Sequence, residues 1–235
     1  MILQNNDFSR ILTIYITQLI FCGVLLFIAY KVLKRNRNRL TLTLSGFYFS
    51  VSIGLFLNAV YPPLDNKDLV TIIYIIAAYF VLLSPIFLVL FNINLLQAGK
   101  ENFLRKWAVY IILYTLSLIF CLNIPGGITI LEEPNFRPLF AWEFLIVLYI
   151  FISLFIVFPL IITSLKLYKT FKDPMLKRKL GFFFIGSFGL ITSLCIMVLY
   201  NTFRDPIIRS ILSIIGSFIM LLSAGLIYYA WVQRL

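Results

Sequence analysis

The chain has no histidine among its 235 residues. This removes the commonest general base and the commonest metal ligand, and with them any phosphate-accepting histidine. Charge is scarce as well. Asp, Glu, Lys and Arg make up 12% of the residues, where a soluble domain carries about 25%. Only nine residues are acidic, and no paired carboxylates or nucleophile–base set stands out for hydrolytic chemistry. Cysteine is limited to Cys22, Cys121 and Cys195, far apart and each inside an apolar run. That number and spacing offer neither a metal site nor a disulfide framework, so the three read as small buried hydrophobes. We therefore expect a non-enzymatic chain with no cofactor and no metal.

What is present in excess is apolar surface. Hydrophobic residues make up 62% of the chain and aromatics 17%, against about 45–50% apolar residues in a soluble domain. Spread over the whole length, this excess points to lipid as the solvent. A spanning helix needs about 20 mostly apolar residues. Seven runs meet that need: 11–30, 40–60, 69–91, 107–123, 139–165, 180–200 and 207–232. The predicted fold is an all-α integral membrane protein, a single seven-transmembrane-helix bundle over residues 1–235, with the lipid bilayer as its surroundings. The first ten residues lack the basic start of a signal peptide, so the first run is expected to stay as a span. Loops are short, which makes successive helices antiparallel neighbours.

The net charge of +11 would suggest nucleic acid in a soluble protein. Here the basic residues alternate in position instead. Fifteen of the twenty lie in the first, third and fifth loops and at the C-terminus: Lys31, Lys34, Arg35, Arg37, Arg39, Lys100, Arg105, Lys106, Lys166, Lys169, Lys172, Lys177, Arg178, Lys179 and Arg234. Arg10, Lys67, Arg137, Arg204 and Arg209 lie on the other side. Positive residues stay cytosolic, so the N-terminus is expected outside the cell membrane and the C-terminus inside, with no nucleic-acid partner. The most basic stretch, the loop 166–179, has topology-setting as its expected main role. Anionic lipid bound there would add about 1 kcal/mol per basic residue near the surface.

Charges deep in a membrane are functional candidates, and this chain has almost none. Glu143 and Arg209 fall near the outer ends of their runs, where snorkelling is easy. There is no visible proton relay or ion path. Retinal is excluded too, because a Schiff base needs a lysine in the last helix and the last lysine, Lys179, precedes the sixth run. The outer helix ends do share a polar belt of Gln18, Asn58, Tyr61, Tyr74, Asn123, Trp142, Glu143, Tyr200 and Asn201. Its ordinary reading is interfacial anchoring. The sharper reading is a shallow pocket with Asn58, Asn123, Glu143, Tyr200 and Asn201 as ligand-binding candidates.

Small and polar residues also recur at helical spacing. The second run carries Thr41, Ser45, Tyr48, Ser52 and Asn58, read as packing contacts. Gly186, Gly189 and Ser193 in the sixth run match Ser210, Ser213, Ser217 and Ala224 in the seventh. Small faces let helices approach closely, so a tight pair is expected. Pro85 and Pro159 each remove a backbone hydrogen bond inside a helix, and either could serve as a hinge. Outside the spans, Gly126-Gly127 signals a turn, and residues 128–131 could form a short extended piece.

A pattern emerges in the last third of the chain. Lys166, Asp173-Pro174, the basic Lys177-Arg178-Lys179 and a helix bearing Gly181, Gly186 and Gly189 lead to a turn at Arg204-Asp205-Pro206. A final helix then runs to Ile227-Tyr228-Tyr229-Ala230-Trp231. This resembles the N-terminal seven-transmembrane sensory region of sensor histidine kinases and related archaeal and bacterial membrane sensors, without the kinase domain. The resemblance implies a module that detects a stimulus in or near the membrane and passes it through the seventh helix. It carries no catalytic residue to this chain, so a protein partner is expected to hold the output. The leading expectation is a membrane sensor or signalling subunit. A transporter or channel for an uncharged or lipidic solute, or a membrane scaffold, is the alternative.

Overall fold

The computed structural model describes residues 18–35, 37–97, 103–131 and 136–231. The beginning of the run 11–30, together with Lys100 and Arg234, lies outside the described residues. Taking Trp142–Thr170 as one helix, the described residues form seven helices and one hairpin. These are α1 (Leu19–Arg35), α2 (Arg39–Val60), α3 (Lys67–Leu96), α4 (Phe103–Leu122), β1 (Ile128–Leu131), β2 (Arg137–Phe140), α5 (Trp142–Thr170), α6 (Pro174–Tyr200) and α7 (Pro206–Trp231). Five of them, α2, α3, α5, α6 and α7, are long and apolar enough to cross a membrane, and α4 has a shorter apolar stretch, Ala108–Leu122. Large apolar side chains stand in the open: Phe120 is 77% exposed, Ile207 69% and Ile214 67%. Soluble monomers rarely carry apolar patches of such extent. The architecture fits an all-α, multi-pass membrane protein.

Helix starts follow local chemistry. Asn38 caps α2 by accepting from the Thr41 N–H at 2.9 Å, and the Thr41 hydroxyl returns the contact by accepting from the Asn38 N–H at 3.0 Å. Asn66 accepts from the N–H groups of Asp68 and Leu69 at the head of α3. The two Asp-Pro pairs do the same work twice. Asp173 caps α6 and Asp205 caps α7, accepting from the Met175 and Ile207 N–H groups at 2.9 and 2.7 Å. In both, proline takes the first helical position, where its missing N–H costs nothing.

Several predicted boundaries shift. The run expected from 139 begins as helix only at Trp142, because Leu139 and Phe140 belong to β2. The Phe140 N–H donates to the Asn201 carbonyl at 2.9 Å and the Ala141 N–H to the Gly127 carbonyl at 3.0 Å, which holds this strand extended. At its other end α5 continues to Thr170. Within the segment 166–179 only residues 171–173 lie outside helix, so it is a tight corner between α5 and α6 rather than a loop. Helix breaks there because Asp173 precedes a proline, which disfavours helical backbone; Asp173 is extended.

The chain divides into two compact units, Met1–Phe87 with Ile130–Arg137, and Leu88–Thr129 with Pro138–Leu235. Within the first, α2 meets its neighbours on two different faces. Towards α1, Ser45 Oγ donates to the Ala29 carbonyl at 3.3 Å and Cys22 Sγ to the Ser52 carbonyl at 3.4 Å. Towards α3, Gly46, Ser50 and Gly54 follow one another at intervals of four. Ser50 Oγ donates to the Phe80 carbonyl at 2.7 Å. A Cβ on Gly54 would come within 2.9 Å of the Ala77 carbonyl oxygen.

In the second unit the most extensive pairing joins α6 to α7. Gly186 lies against the backbone of Ser223 and Ile227, Gly189 against the Ser223 side chain, and Ser193 Oγ donates to the Gly216 carbonyl at 2.6 Å. The α7 side of this seam is formed by Gly216, Ser223 and Ile227, while Ser213 and Ser217 are half-buried.

These contacts predict opposite outcomes for chemically equal substitutions. Gly54→Ala and Gly186→Ala meet backbone atoms and should lower stability in detergent by about 1–3 kcal/mol. Gly23→Ala and Gly181→Ala have open space around the added methyl and should be neutral or slightly stabilising. Thermal unfolding of the four variants checks this.

Candidate functional site

The densest polar arrangement in the second unit gathers where β2, the end of α6 and the start of α7 meet. Residues 124–127 turn tightly, with Gly126 at φ 73°, a backbone state costly for other residues. Gly127 leaves no room for a side chain against the Phe144 ring. Beyond this turn, β1 and β2 form a two-stranded sheet, and β2 delivers its carbonyls to α7. Arg209, in the first turn of α7, donates to the Pro138 carbonyl at 3.3 Å, to Asn201 Oδ1 at 3.1 Å and to the Phe203 carbonyl at 3.4 Å. Its guanidinium lies 5.6 Å from the centre of the Tyr200 ring. A cation here also lies beside the C-terminal end of α6, the negative end of its dipole. Asn201 is 5% exposed and is used on every side. Its Oδ1 accepts from Arg209, its Nδ2 donates to the Met197 carbonyl at 3.2 Å, and its backbone carbonyl accepts from Phe140.

Among the residues predicted as ligand-binding, Tyr200 and Asn201 stand together in this cluster. Asn123 does not join it: its Nδ2 donates to the Ile119 carbonyl of its own helix at 2.8 Å. Glu143 sits exposed in the first turn of α5, where a carboxylate complements the positive helix end. Asn58 belongs to the other unit, and its Nδ2 donates to Gln18 Oε1 at 2.9 Å. Arg209, which sequence reasoning treated only as a snorkelling charge, is the hub of the cluster. Its four-residue spacing after an Asp-Pro helix start places it opposite the incoming turn, a signal readable only once the partner carbonyls are known.

A second polar set was missed because Asn92 falls just past the predicted run 69–91. Helix α3 continues to Leu96, so Asn92 is a full turn inside it and completely buried. Its Nδ2 donates to Thr163 Oγ1 at 3.3 Å and Ser164 Oγ at 3.1 Å, both on α5. Its Oδ1 has no hydrogen-bond partner among the described residues.

The prolines are accommodated by hydroxyls. Pro85 has no N–H for the Val81 carbonyl, and Ser84 Oγ donates to that carbonyl at 2.7 Å. Pro159 likewise has none for Phe155. There α5 widens into a π-helical turn, Ser153–Val157, and the Tyr110 hydroxyl of α4 donates to the Phe155 carbonyl. Such turns inside helices are frequent at functional places. At the opposite end of α5, the basic side chains cluster around the corner with α6: Lys177 Nζ lies 5.2 Å from the Tyr168 ring centre and the Arg178 guanidinium 5.7 Å from that of Phe182. Among the described residues no group of three His, Cys, Asp or Glu side chains could hold a metal ion.

Four substitutions separate the bonded positions from an exposed one. Arg209→Leu removes the donor from three acceptors and should lower stability by about 1–3 kcal/mol, with Arg209→Gln in between. Tyr110→Phe, which withdraws the donor from the Phe155 carbonyl, should cost a similar amount. Exposed Glu143→Gln should change stability by less than about 0.5 kcal/mol. Unfolding midpoints in a fixed detergent measure all four. Compared with known protein families, curated proteins and solved structures, the chain matches none.

Proposed function

We propose that the chain crosses a cell membrane seven times, with its N-terminus outside and its C-terminus in the cytosol. In this reading it is a non-enzymatic sensor or signalling subunit, the role implied by its resemblance to the membrane modules of sensor histidine kinases. It would pass a ligand, lipid or membrane-state signal through α5, α6 and α7 to a protein partner. One observation carries this reading: Arg209 ties the first turn of α7 to the hairpin carbonyl of Pro138 and to Asn201 at the end of α6. A molecule that competes for Arg209, Tyr200 or Asn201 at the outer surface would release that tie. The close seam through Gly186, Gly189 and Ser193 makes α7 move with α6 rather than bend alone. The π-helical turn beside Pro159 gives α5 a place to yield.

A second reading draws on Asn92, Thr163 and Ser164. A buried neutral polar set between helices suits passage of an uncharged or lipidic solute, and solute flux in proteoliposomes tests it directly.

The relay is tested with a single cysteine at Tyr229, near the far end of α7, in a chain whose three native cysteines are replaced. A spin label there should report a changed environment in Arg209→Gln relative to the parent. Identical spectra would remove the relay. Impermeant-reagent labelling of cysteines at Lys169 and Asp205 tests the orientation: only the Asp205 position should react from outside intact cells. Affinity purification from native membranes should return a stoichiometric protein partner.

A further inference from the structure

The corner between α5 and α6 is more specific than a topology signal requires. Lys166 and Lys169 lie three residues apart, on one side of the last turns of α5, and both are exposed. Lys172 stands exposed in the three-residue turn. Lys177 and Arg178 enter from the first turns of α6. That the two helices bring their cations together is seen directly, since the Lys177 ammonium lies over the ring of Tyr168 on α5 at 5.2 Å. The only carboxylate in residues 166–179 is Asp173, and it is engaged in capping, accepting from the Met175 N–H at 2.9 Å. Positive charge is therefore concentrated here without an acidic counterpart inside the segment.

What the surroundings add is oil. Leu165 is 58% exposed, Ile185 62% and Met175 56%, so apolar side chains begin where the cations end. A nucleic acid or a soluble acidic peptide would find half of this surface unsuited to it. A molecule with a phosphate at one end and hydrocarbon at the other suits both halves: the phosphate at the cations of the corner, the acyl chains along exposed apolar side chains such as Leu165 and Ile185. Aromatic rings beneath the cations, Tyr168 and Phe182, hold the charged heads at the depth where a headgroup lies.

We propose that the α5–α6 corner is a binding site for the phosphate headgroup of an anionic membrane phospholipid. The proposal rests on the membrane-spanning reading above. It adds a lipid class and a place, beside the start of the helix whose other end meets Arg209.

The test uses the full chain in phosphatidylcholine nanodiscs containing trace spin-labelled phosphatidylglycerol or spin-labelled phosphatidylcholine. The parent should prefer the anionic lipid by about fivefold, and the preference should weaken as salt is raised. Replacing Lys166, Lys169, Lys172, Lys177 and Arg178 with Gln should bring the ratio to about one. Replacing Lys31, Lys34 and Arg37 with Gln, an exposed basic set on α1 and the turn after it, should leave most of it. A ratio near one in the parent overturns the proposal, as does a preference lost in the α1 set and kept in the corner set. If the fivefold variant does not fold, Lys169→Gln and Arg178→Gln singly should each reduce the ratio, and no reduction in either overturns it. Inorganic phosphate at matched ionic strength should leave the preference intact; its loss would assign the corner to a free anion instead. Extraction of the protein without detergent would sink the spanning reading itself, a result distinct from an embedded chain with no lipid preference.

Discussion

Two helices in hydrocarbon gain little by burying a leucine against each other, because lipid tails are as apolar as the side chain. What can hold them is close backbone approach and hydrogen bonds that lipid cannot offer, and the packing here follows from that constraint. The α2–α3 contact is built on Gly46, Ser50 and Gly54, and the α6–α7 seam on Gly186, Gly189 and Ser193. Each seam combines missing side chains with one serine hydroxyl that reaches a carbonyl of the facing helix: Ser50 to Phe80 and Ser193 to Gly216. Other large apolar residues, Phe120, Ile207 and Ile214 among them, stand outward, where a soluble protein would place its charges.

The same solvent governs the backbone. A carbonyl left without a donor in oil has no water to turn to. Both internal prolines create such a carbonyl, and in both cases a nearby hydroxyl answers it, Ser84 within α3 and Tyr110 across to α5. The hairpin poses the problem again with an irregular strand, and there Arg209 supplies the donors for Pro138 and Phe203. At these positions a side-chain bond stands in for a backbone bond that the fold cannot supply. A competing ligand or a lost hydrogen bond at such a position leaves a carbonyl without its donor. This is why the proposed relay runs through the Arg209 cluster and the π-helical turn, while the basic corner is a separate surface feature for which a lipid partner is proposed.

Much of the element order could be read from the residues. Long apolar runs, Asp-Pro helix starts and the Gly126-Gly127 turn each act within a few residues of themselves, so local pattern is enough to find them. The errors lie where an element's end depends on a distant partner. Leu139 and Phe140 look helical by composition, yet a bond from Phe140 to Asn201 makes them strand. Asn92 lies just beyond the predicted run 69–91, whereas α3 extends to Leu96 and carries it inside to meet Thr163 and Ser164. The polar belt shows the limit most clearly. Asn58, Asn123, Glu143 and Asn201 are alike in composition and expected depth, but one bonds to Gln18, one to its own helix, one stands exposed, and one is gripped by Arg209.

By itself, then, the amino-acid order determined that this chain is helical, apolar on its outside and asymmetric in its basic residues, since hydropathy, capping and charge are properties of neighbouring positions. Only the tertiary structure decided which polar atoms meet. Those meetings join residues as far apart as Pro138 and Arg209 or Asn92 and Ser164, and they depend on how each helix is rotated about its own axis. In a nearly uniform apolar sequence no local periodicity specifies that rotation; it is set by where a missing side chain lets one backbone come close to another.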